Sequence, residues 1–437
     1  MTVNHKTCAL ISPPRGRSLL GRTRYDAAQE VDLSHAAESS SPTAISGRFV
    51  DQERIDGIFD WLVDGAQGTK NAIEVIAKLA PEMIAAGVPI QRVVAFVRTL
   101  HPHIVGRSFV WLPGGHVEVS ENSYAYLQSP GFLSSPVAAV FRTGQLVRRD
   151  LTARAGSADS ELLQDLAKQG FTDYYAAPLT FLSGQVHAIT FATRAAEGFT
   201  DSHIAAIAQV VRPLARIAEI LALSRTAVNL LNTYVGHDAG ERILQGRIQL
   251  GDTESLQAVV WFSDLRGFTS LSADLAPPAI IRVLNDLFEC QVTAIEACGG
   301  QVLKFIGDGL LAIFPLKDNG AGPVCDKALQ AANDAFTALA LLNADRAIKA
   351  EPPIRFGLAL HVGEIAYGNI GGSGRLDFTV IGPAVNLAAR LEGLTSSLQR
   401  DLVLSREFAE ATSAATLSLG EFALKGVAEA IEVFAAA

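Results

Sequence analysis

Cysteine is scarce. Four residues in 437 (Cys8, Cys290, Cys298 and Cys325) are too few and too scattered for a disulfide framework or a zinc site, so reduced thiols and a cytoplasmic setting are expected. A long uninterrupted apolar run is also missing. The best candidate, Ile204 to Leu231, is broken by Arg212, Pro213, Arg216, Glu219 and Arg225, which excludes a span of about 20 apolar residues. Basic charge is in deficit. Lys plus Arg number 36 against 45 Asp plus Glu, a net charge of -9, which argues against a protein that coats DNA or RNA. It does not argue against holding one nucleotide through metal ions. The apolar core of a secretory signal is absent from the start of the chain. There Arg15, Arg17, Arg22 and Arg24 precede the first acid, Asp26, which fits a solvated basic tail or an organelle transit peptide.

What is present is globular. Hydrophobic residues make up 49% and charged residues 19%, a composition that buries a core without disulfide or metal staples. The length suits about three domains. Residues 1–47 lack apolar periodicity and carry Pro13, Pro14 and the run Glu38-Ser39-Ser40-Ser41-Pro42, so a flexible tail is expected. Residues 48–201 alternate helix and strand signals, 202–253 read as a helical linker, and 254–437 hold the chemistry.

In the second segment, Ile73, Val75, Ile76, Leu79, Met83 and Ile84 predict an amphipathic helix, and Ser108–Leu112 a buried strand ended by Pro113-Gly114-Gly115. Tyr174–Phe181 and Val186–Phe191 predict a hairpin about Ser183-Gly184-Gln185, and Asp201 or Ser202 an N-cap for the long helix that follows. His101, His103, His116 and His187 show no metal-ligand spacing. The stretch AAPLTFLSGQVHAITFATRAAEGFTDSHIAAIAQVV resembles the closing half of a GAF domain. That resemblance implies an α/β sensor with a central antiparallel sheet, serving as a small-molecule effector pocket or as a dimerising scaffold. In the linker, Ile207, Val211, Leu214, Ala218 and Leu221 alternate at four and three residues. That is the seam of a parallel coiled coil, or the face of a helix packed on its own domain. His237–Asp252 reads as a polar, glycine-rich connector.

The third segment opens with Ala258–Phe262, a continuous apolar run that predicts a strand buried on both faces. Asp264 follows it, where packing gives no reason for a carboxylate. Gly267 lets the backbone approach a ligand, and the N–H groups of Phe268 and Thr269 before the next helix can face a phosphate. Ile280, Leu284, Leu287, Phe288, Val292 and Ile295 mark a helix stopped by Gly299-Gly300. Val302–Phe314 then reads as two strands about Gly307-Asp308-Gly309, with Asp308 at the tip. If that hairpin lies beside the first strand, two hard carboxylates converge as a magnesium site would require. Gly382–Glu392 reads as a helix that puts Asn386 and Arg390 on one face.

The segments FSDLRGFT, VLKFIGDGLLAIF, LHVGEIAYGNIG, DFTVIGPAVNLAARLE and FALKGVAEAIEVF together resemble the class III nucleotide cyclases, specifically the bacterial adenylate cyclases. The fold class this implies is α+β, with a ferredoxin-like (βαββαβ) catalytic domain. It implies that Asp264, Asp308 and the Leu265 carbonyl hold two Mg2+ or Mn2+ ions. Lys304 and Thr379 would read the adenine, Asn386 orient the ribose, Arg390 stabilise charge at the reacting phosphate and Lys425 hold the terminal phosphates. It implies ATP as substrate, 3′,5′-cyclic AMP and diphosphate as products, and a homodimer whose two sites lie across the interface. A lysine can donate to the ring nitrogen of adenine, where guanine presents a donor, so Lys304 favours ATP. Guanylate cyclase activity and a catalytically silent nucleotide-binding module are the alternatives. Pro383 stands where relatives often carry an acid. Glu364 stands near where some carry a base, which leaves Arg266 and Arg375 as substitutes.

Overall fold

The structure is a computed structural model that describes residues 49–152, 160–316, 320–372, 374–427 and 429–437. Cys8 and the expected tail or transit peptide, up to residue 48, lie outside these.

The first part runs α1 (Gln52–Val63), α2 (Ala72–Ala85), β1 (Arg92–Arg98), β2 (Ile104–Trp111), β3 (Val117–Ser123), α3 (Pro130–Leu133), α4 (Pro136–Thr143), β4 (Val147–Asp150), α5 (Glu161–Lys168), β5 (Asp173–Thr180), β6 (Val186–Thr193) and α6 (Asp201–Val235). The six strands form one antiparallel sheet in the order β3-β2-β1-β6-β5-β4. Side chains alternate across a strand, so one strand feeds two cores. In β5, Tyr175, Ala177 and Leu179 meet α1, α2 and α6, whereas Tyr174 and Ala176 meet α4 and α5.

Two local expectations are corrected, and a choice between two readings of α6 is decided. The N-cap of α6 is Thr200, whose side chain accepts from the His203 N–H while His203 accepts from the Thr200 N–H, a capping box that places the helix start one residue earlier. Of the two readings of the α6 seam, the helix packed on its own domain holds: Ile207, Val211 and Leu214 are buried in that core, with Ala218 and Leu221 packed against it. The large apolar residues that α6 exposes are Ile220, Leu223, Leu230 and Tyr234. The connector after Gly236 is not merely polar. Its first half forms α7 (His237–Leu244), whose Ala239 is buried against the next sheet.

The second part continues with β7 (Thr253–Leu265), α8 (Phe268–Asp274), α9 (Pro277–Ala297), β8 (Gln301–Ile306), β9 (Gly309–Pro315), α10 (Ala321–Ile348), β10 (Phe356–Gly372), β11 (Arg375–Ile381), α11 (Pro383–Ser397), β12 (Leu402–Ser405), α12 (Arg406–Ala411), β13 (Thr416–Phe422) and β14 (Ile431–Ala436). The sheet order is β13-β14-β12-β10-β7-β9-β8, with β11 folded back on the far end of β10. Its central β10-β7-β9-β8 portion, with α9 and α10 as the two crossovers, is the βαββαβ order of a ferredoxin-like unit. The central strand β7 is buried on both sides. Val259 and Trp261 face α9 and α10, while Ala258 and Val260 face α7 and α11. Among the described residues no helix is long and apolar enough to cross a membrane.

Candidate functional site

At the end of β7 the strand alternation turns Asp264 toward the α11 side of the sheet, two residues beyond Phe262. Asp264 pairs in register with Gly309 of β9 and Gly357 of β10. A Cβ on Gly309 would stand 2.8 Å from the Ser263 carbonyl oxygen and 3.1 Å from Asp264 Oδ1. Asp308 precedes Gly309 in the turn between β8 and β9. The hairpin therefore does lie beside the first strand, and the two carboxylates feel one another. Burial pushes the Asp264 carboxyl above its ordinary pKa, the charge on Asp308 adds to this, and the Leu265 N–H opposes it. Leu265 itself is a buried strand end opposite Phe356.

A third carboxylate, Glu392 of α11, joins this cluster. Burial, then the charge on Asp264, push its pKa up to about 7; Thr395 and Arg266 pull the other way and Asp308 adds to the rise. Arg266 is tied down by Asp401 at 3.0 Å and by the Arg400 carbonyl. Its Nε is buried without a hydrogen-bond partner. Among the described residues no three His, Cys, Asp or Glu side chains converge in metal-holding geometry. The chemistry of two neighbouring carboxylates nevertheless suits a hard cation such as Mg2+ or Mn2+, with substrate phosphates and water to complete its shell. Beyond Leu265 the chain turns through Gly267, whose φ of 73° favours glycine, into the seven-residue α8. Phe268 there packs half-buried against the core and Thr269 is exposed.

On β8, Lys304 extends its ammonium to Asp377 of β11, at 2.6 Å. Asp377 and Thr379 lie on the same side of β11, while Phe378 and Val380 on the other side are buried. Thr379 is 5% exposed, and its hydroxyl is buried with no hydrogen-bond partner. An orphaned donor and acceptor of this kind is costly unless something outside the chain satisfies it.

On α11, Asn386 is exposed and Arg390, one turn later, is half-buried. The guanidinium of Arg390 rests against Gly426, where a Cβ would stand 3.3 Å from Nη2. Arg390 thus neighbours the exposed Lys425 in the turn between β13 and β14. Among the described residues Arg390 has no ion-pair partner. Glu364 accepts from the Ser255 hydroxyl and lies opposite Gln257, well up β7 from Asp264. Arg375 is exposed at the start of β11.

The structure therefore gathers the sequence-selected residues into three groups. These are Asp264 with Asp308, Lys304 with the β11 strand that carries Thr379, joined through Asp377, and Arg390 with the turn that carries Lys425. Among the described residues no hydrogen bond or ion pair joins the first group to the other two. Sequence reasoning passed over two residues. Asp377 stands two before Thr379, and strand alternation alone puts both on one side. Glu392 meets Asp264 only through the packing of α11 on the sheet, which no local pattern reveals.

Residues 252–434 match the family described as the adenylate and guanylate cyclase catalytic domain, and this part of the chain is a class III nucleotide cyclase domain. The chain is 36% identical over 162 residues to an adenylate cyclase of Anabaena cylindrica, covering 36% of this chain and 31% of that protein. It is 34% identical over 196 residues to an uncharacterized protein of Mycobacterium tuberculosis, covering 44% of this chain and 35% of that one. The similarity thus spans about a third of these curated relatives' length. Among solved structures, a bacterial light-regulated adenylyl cyclase is 30% identical, covering 42% of this chain and 91% of that chain with a TM-score of 0.38. The guanylyl cyclase Cya2 is 28% identical, covering 43% and 93% with a TM-score of 0.37.

Proposed function

We infer that the chain is an adenylate cyclase that converts ATP to 3′,5′-cyclic AMP and diphosphate. The observation that carries this reading is the combination of Asp264 and Asp308 at adjoining strand ends with a base-reading pair, Lys304 and the orphaned Thr379 hydroxyl, elsewhere on the same chain. Asp264, Asp308 and the Leu265 carbonyl would hold two Mg2+ or Mn2+ ions, which supply Lewis acidity toward the phosphates and the 3′ hydroxyl. Lys304 donates to an adenine ring nitrogen and Thr379 satisfies its hydroxyl on the base. Asn386 orients the ribose, so that the 3′ oxygen lies in line with the α-phosphorus. Arg390 meets the charge that builds on the transferring phosphoryl group. Lys425 holds the terminal phosphates, and Gly267, Phe268 and Thr269 offer backbone N–H groups nearby.

In the homodimer this reading calls for, each site would take Asp264 and Asp308 from one protomer and the remaining residues from its partner. Residues 254–437 would be the catalytic domain, 202–253 the transducer and 48–201 a GAF-like sensor for a small-molecule effector. The six-stranded antiparallel sheet supports that last reading. One observation favours the guanylate alternative: the Asp377 carboxylate, beside Lys304, is an acceptor that guanine could use. The purified chain, incubated with ATP or with GTP and either Mg2+ or Mn2+, should yield cyclic AMP as the dominant product. Dominant cyclic GMP would reverse the substrate assignment, and no cyclic product would leave a silent binding module.

A further inference from the structure

A cavity of about 460 Å³ lies between α2, the first sheet and α6. That is within the ~300–1,000 Å³ of small-ligand pockets. Most of its wall is aliphatic, with Ile76, Leu179, Ile189, Leu214 and Leu221 among the lining residues.

The charged part of the wall has one sign. Lys70, Arg98, Arg107 and Arg225 line the cavity, and no Asp or Glu does, in a chain whose net charge is -9. Arg107 is matched by Glu121, at 3.0 Å from Nε. Among the described residues Lys70 has no ion-pair partner. Thr99 and Arg107 lie at the same end of the β1–β2 pair, and the Thr99 hydroxyl is buried with no hydrogen-bond partner. An apolar bed with basic groups and an unused hydroxyl complements a ligand with an apolar body and a single negative end.

We propose that this cavity binds an amphipathic monoanion, an aliphatic or aromatic body carrying one carboxylate or sulfonate, with the charge at the Lys70 and Arg107 end. Its wall includes Leu214, Ile217, Leu221 and Arg225 of α6, and α6 runs on to Val235, with Gly236 alone between it and α7. An occupant therefore touches the helix that leads to the cyclase domain. Any effect on turnover rests on the adenylate cyclase reading, whereas binding does not.

The test is calorimetric titration of the full chain with dodecanoate, below its micellar concentration, and with anilinonaphthalene sulfonate. Saturable binding of one anion per chain is expected. Dodecanol and dodecylamine should bind more weakly by on the order of tenfold, the worth of one charge-assisted hydrogen bond. Ala222→Phe fills the cavity and should abolish binding. Lys70→Glu combined with Arg107→Gln leaves the packing alone and should reduce dodecanoate to the level of dodecanol. Asp264→Ala should leave binding intact while removing turnover, so the two readings fail separately. The proposal is overturned if neither anion binds saturably, if dodecanol binds as well as dodecanoate, or if both cavity variants bind normally. It is also overturned if Ala222→Cys crosslinks chain to chain, which would give the groove to a second copy's helix.

Discussion

The ammonium of Lys304 is held 2.6 Å from the carboxylate of Asp377, two residues before Thr379 on the same side of β11. Both groups are partly exposed, so the pair contributes at most about 1 kcal/mol to stability. Its consequence is positional. A lysine side chain has four rotatable bonds, and Asp377 fixes where its charge stands, which on the proposed reading is where the base would lie. Asp377→Asn should raise the KM for ATP by about fivefold with little change in kcat and a melting midpoint close to that of the parent. Steady-state kinetics with ATP and with GTP check this. A selective loss of GTP turnover would mean that Asp377 itself reads the base.

Gly309 sits where a side chain would collide with the Ser263 carbonyl and the Asp264 carboxylate, at 2.8 Å and 3.1 Å. The Ser263 oxygen is backbone and cannot swing away. Gly309→Ala should therefore shift the carboxylate and lower kcat on the order of 10²-fold, the usual effect of an ångström of misplacement. The overpacking should also lower stability by about 1–3 kcal/mol. Asp264→Ala should instead abolish turnover without lowering the melting midpoint near neutral pH, because burial and Asp308 already disfavour that charge. Turnover with Mn2+ and thermal melts of both variants separate the two outcomes. Activity surviving in Asp264→Ala would refute the metal assignment.

Much of this was legible in the residues. The doubly apolar run at Ala258–Phe262, the Gly307-Asp308-Gly309 turn and the stripe on α9 each follow a local period or a turn preference, and β7, β9 and α9 lie where those rules put them. What was not legible depends on tertiary partners. The four-and-three spacing on α6 describes any apolar helical face, and the choice between a second helix and the domain's own sheet lies outside the helix. The connector was misread because α7 carries only a few apolar residues, Ala239 and Ile243 among them, in a polar context; it folds as a helix against a sheet that forms elsewhere in the chain. Glu392 reads as an ordinary helix-surface acid until α11 is laid against β10, where Gly357 leaves it room.

Arg390 rests on Gly426, which has a φ of 74° and no side chain to push the guanidinium away. Arg390→Ala should cost about 10²–10³ in kcat, as loss of a donor to developing charge does. Gly426→Ala should produce a milder version through a different route. The new Cβ would displace a movable guanidinium and cost about 1 kcal/mol of backbone strain. The expected signature is a lower kcat with the KM for ATP nearly unchanged, measured beside a melting curve that corrects for the strain. A change confined to KM would place Arg390 in ground-state binding instead.

His187 is fully buried in β6. Its Nδ1 accepts from the Arg98 N–H at 2.9 Å, so the ring carries its proton on Nε2, which has no partner. Burial, and then the charge on Arg98, push its pKa down to about 4, with Glu219 opposing. The native ring is therefore neutral, whereas the unfolded ring takes up a proton near pH 6.5. Its contribution to stability is complete above about pH 6.5 and is lost as the pH falls toward 4, amounting to roughly 3 kcal/mol at the acid end. His187→Asn keeps an acceptor for the Arg98 N–H and cannot be protonated. It should be less stable than the parent at pH 7, since the ring packing on Phe181 is lost, yet show a shallower fall between pH 6.5 and 4. Denaturant unfolding at several pH values measures the slope, and an unchanged slope would mean that the acid sensitivity of this domain resides in another group.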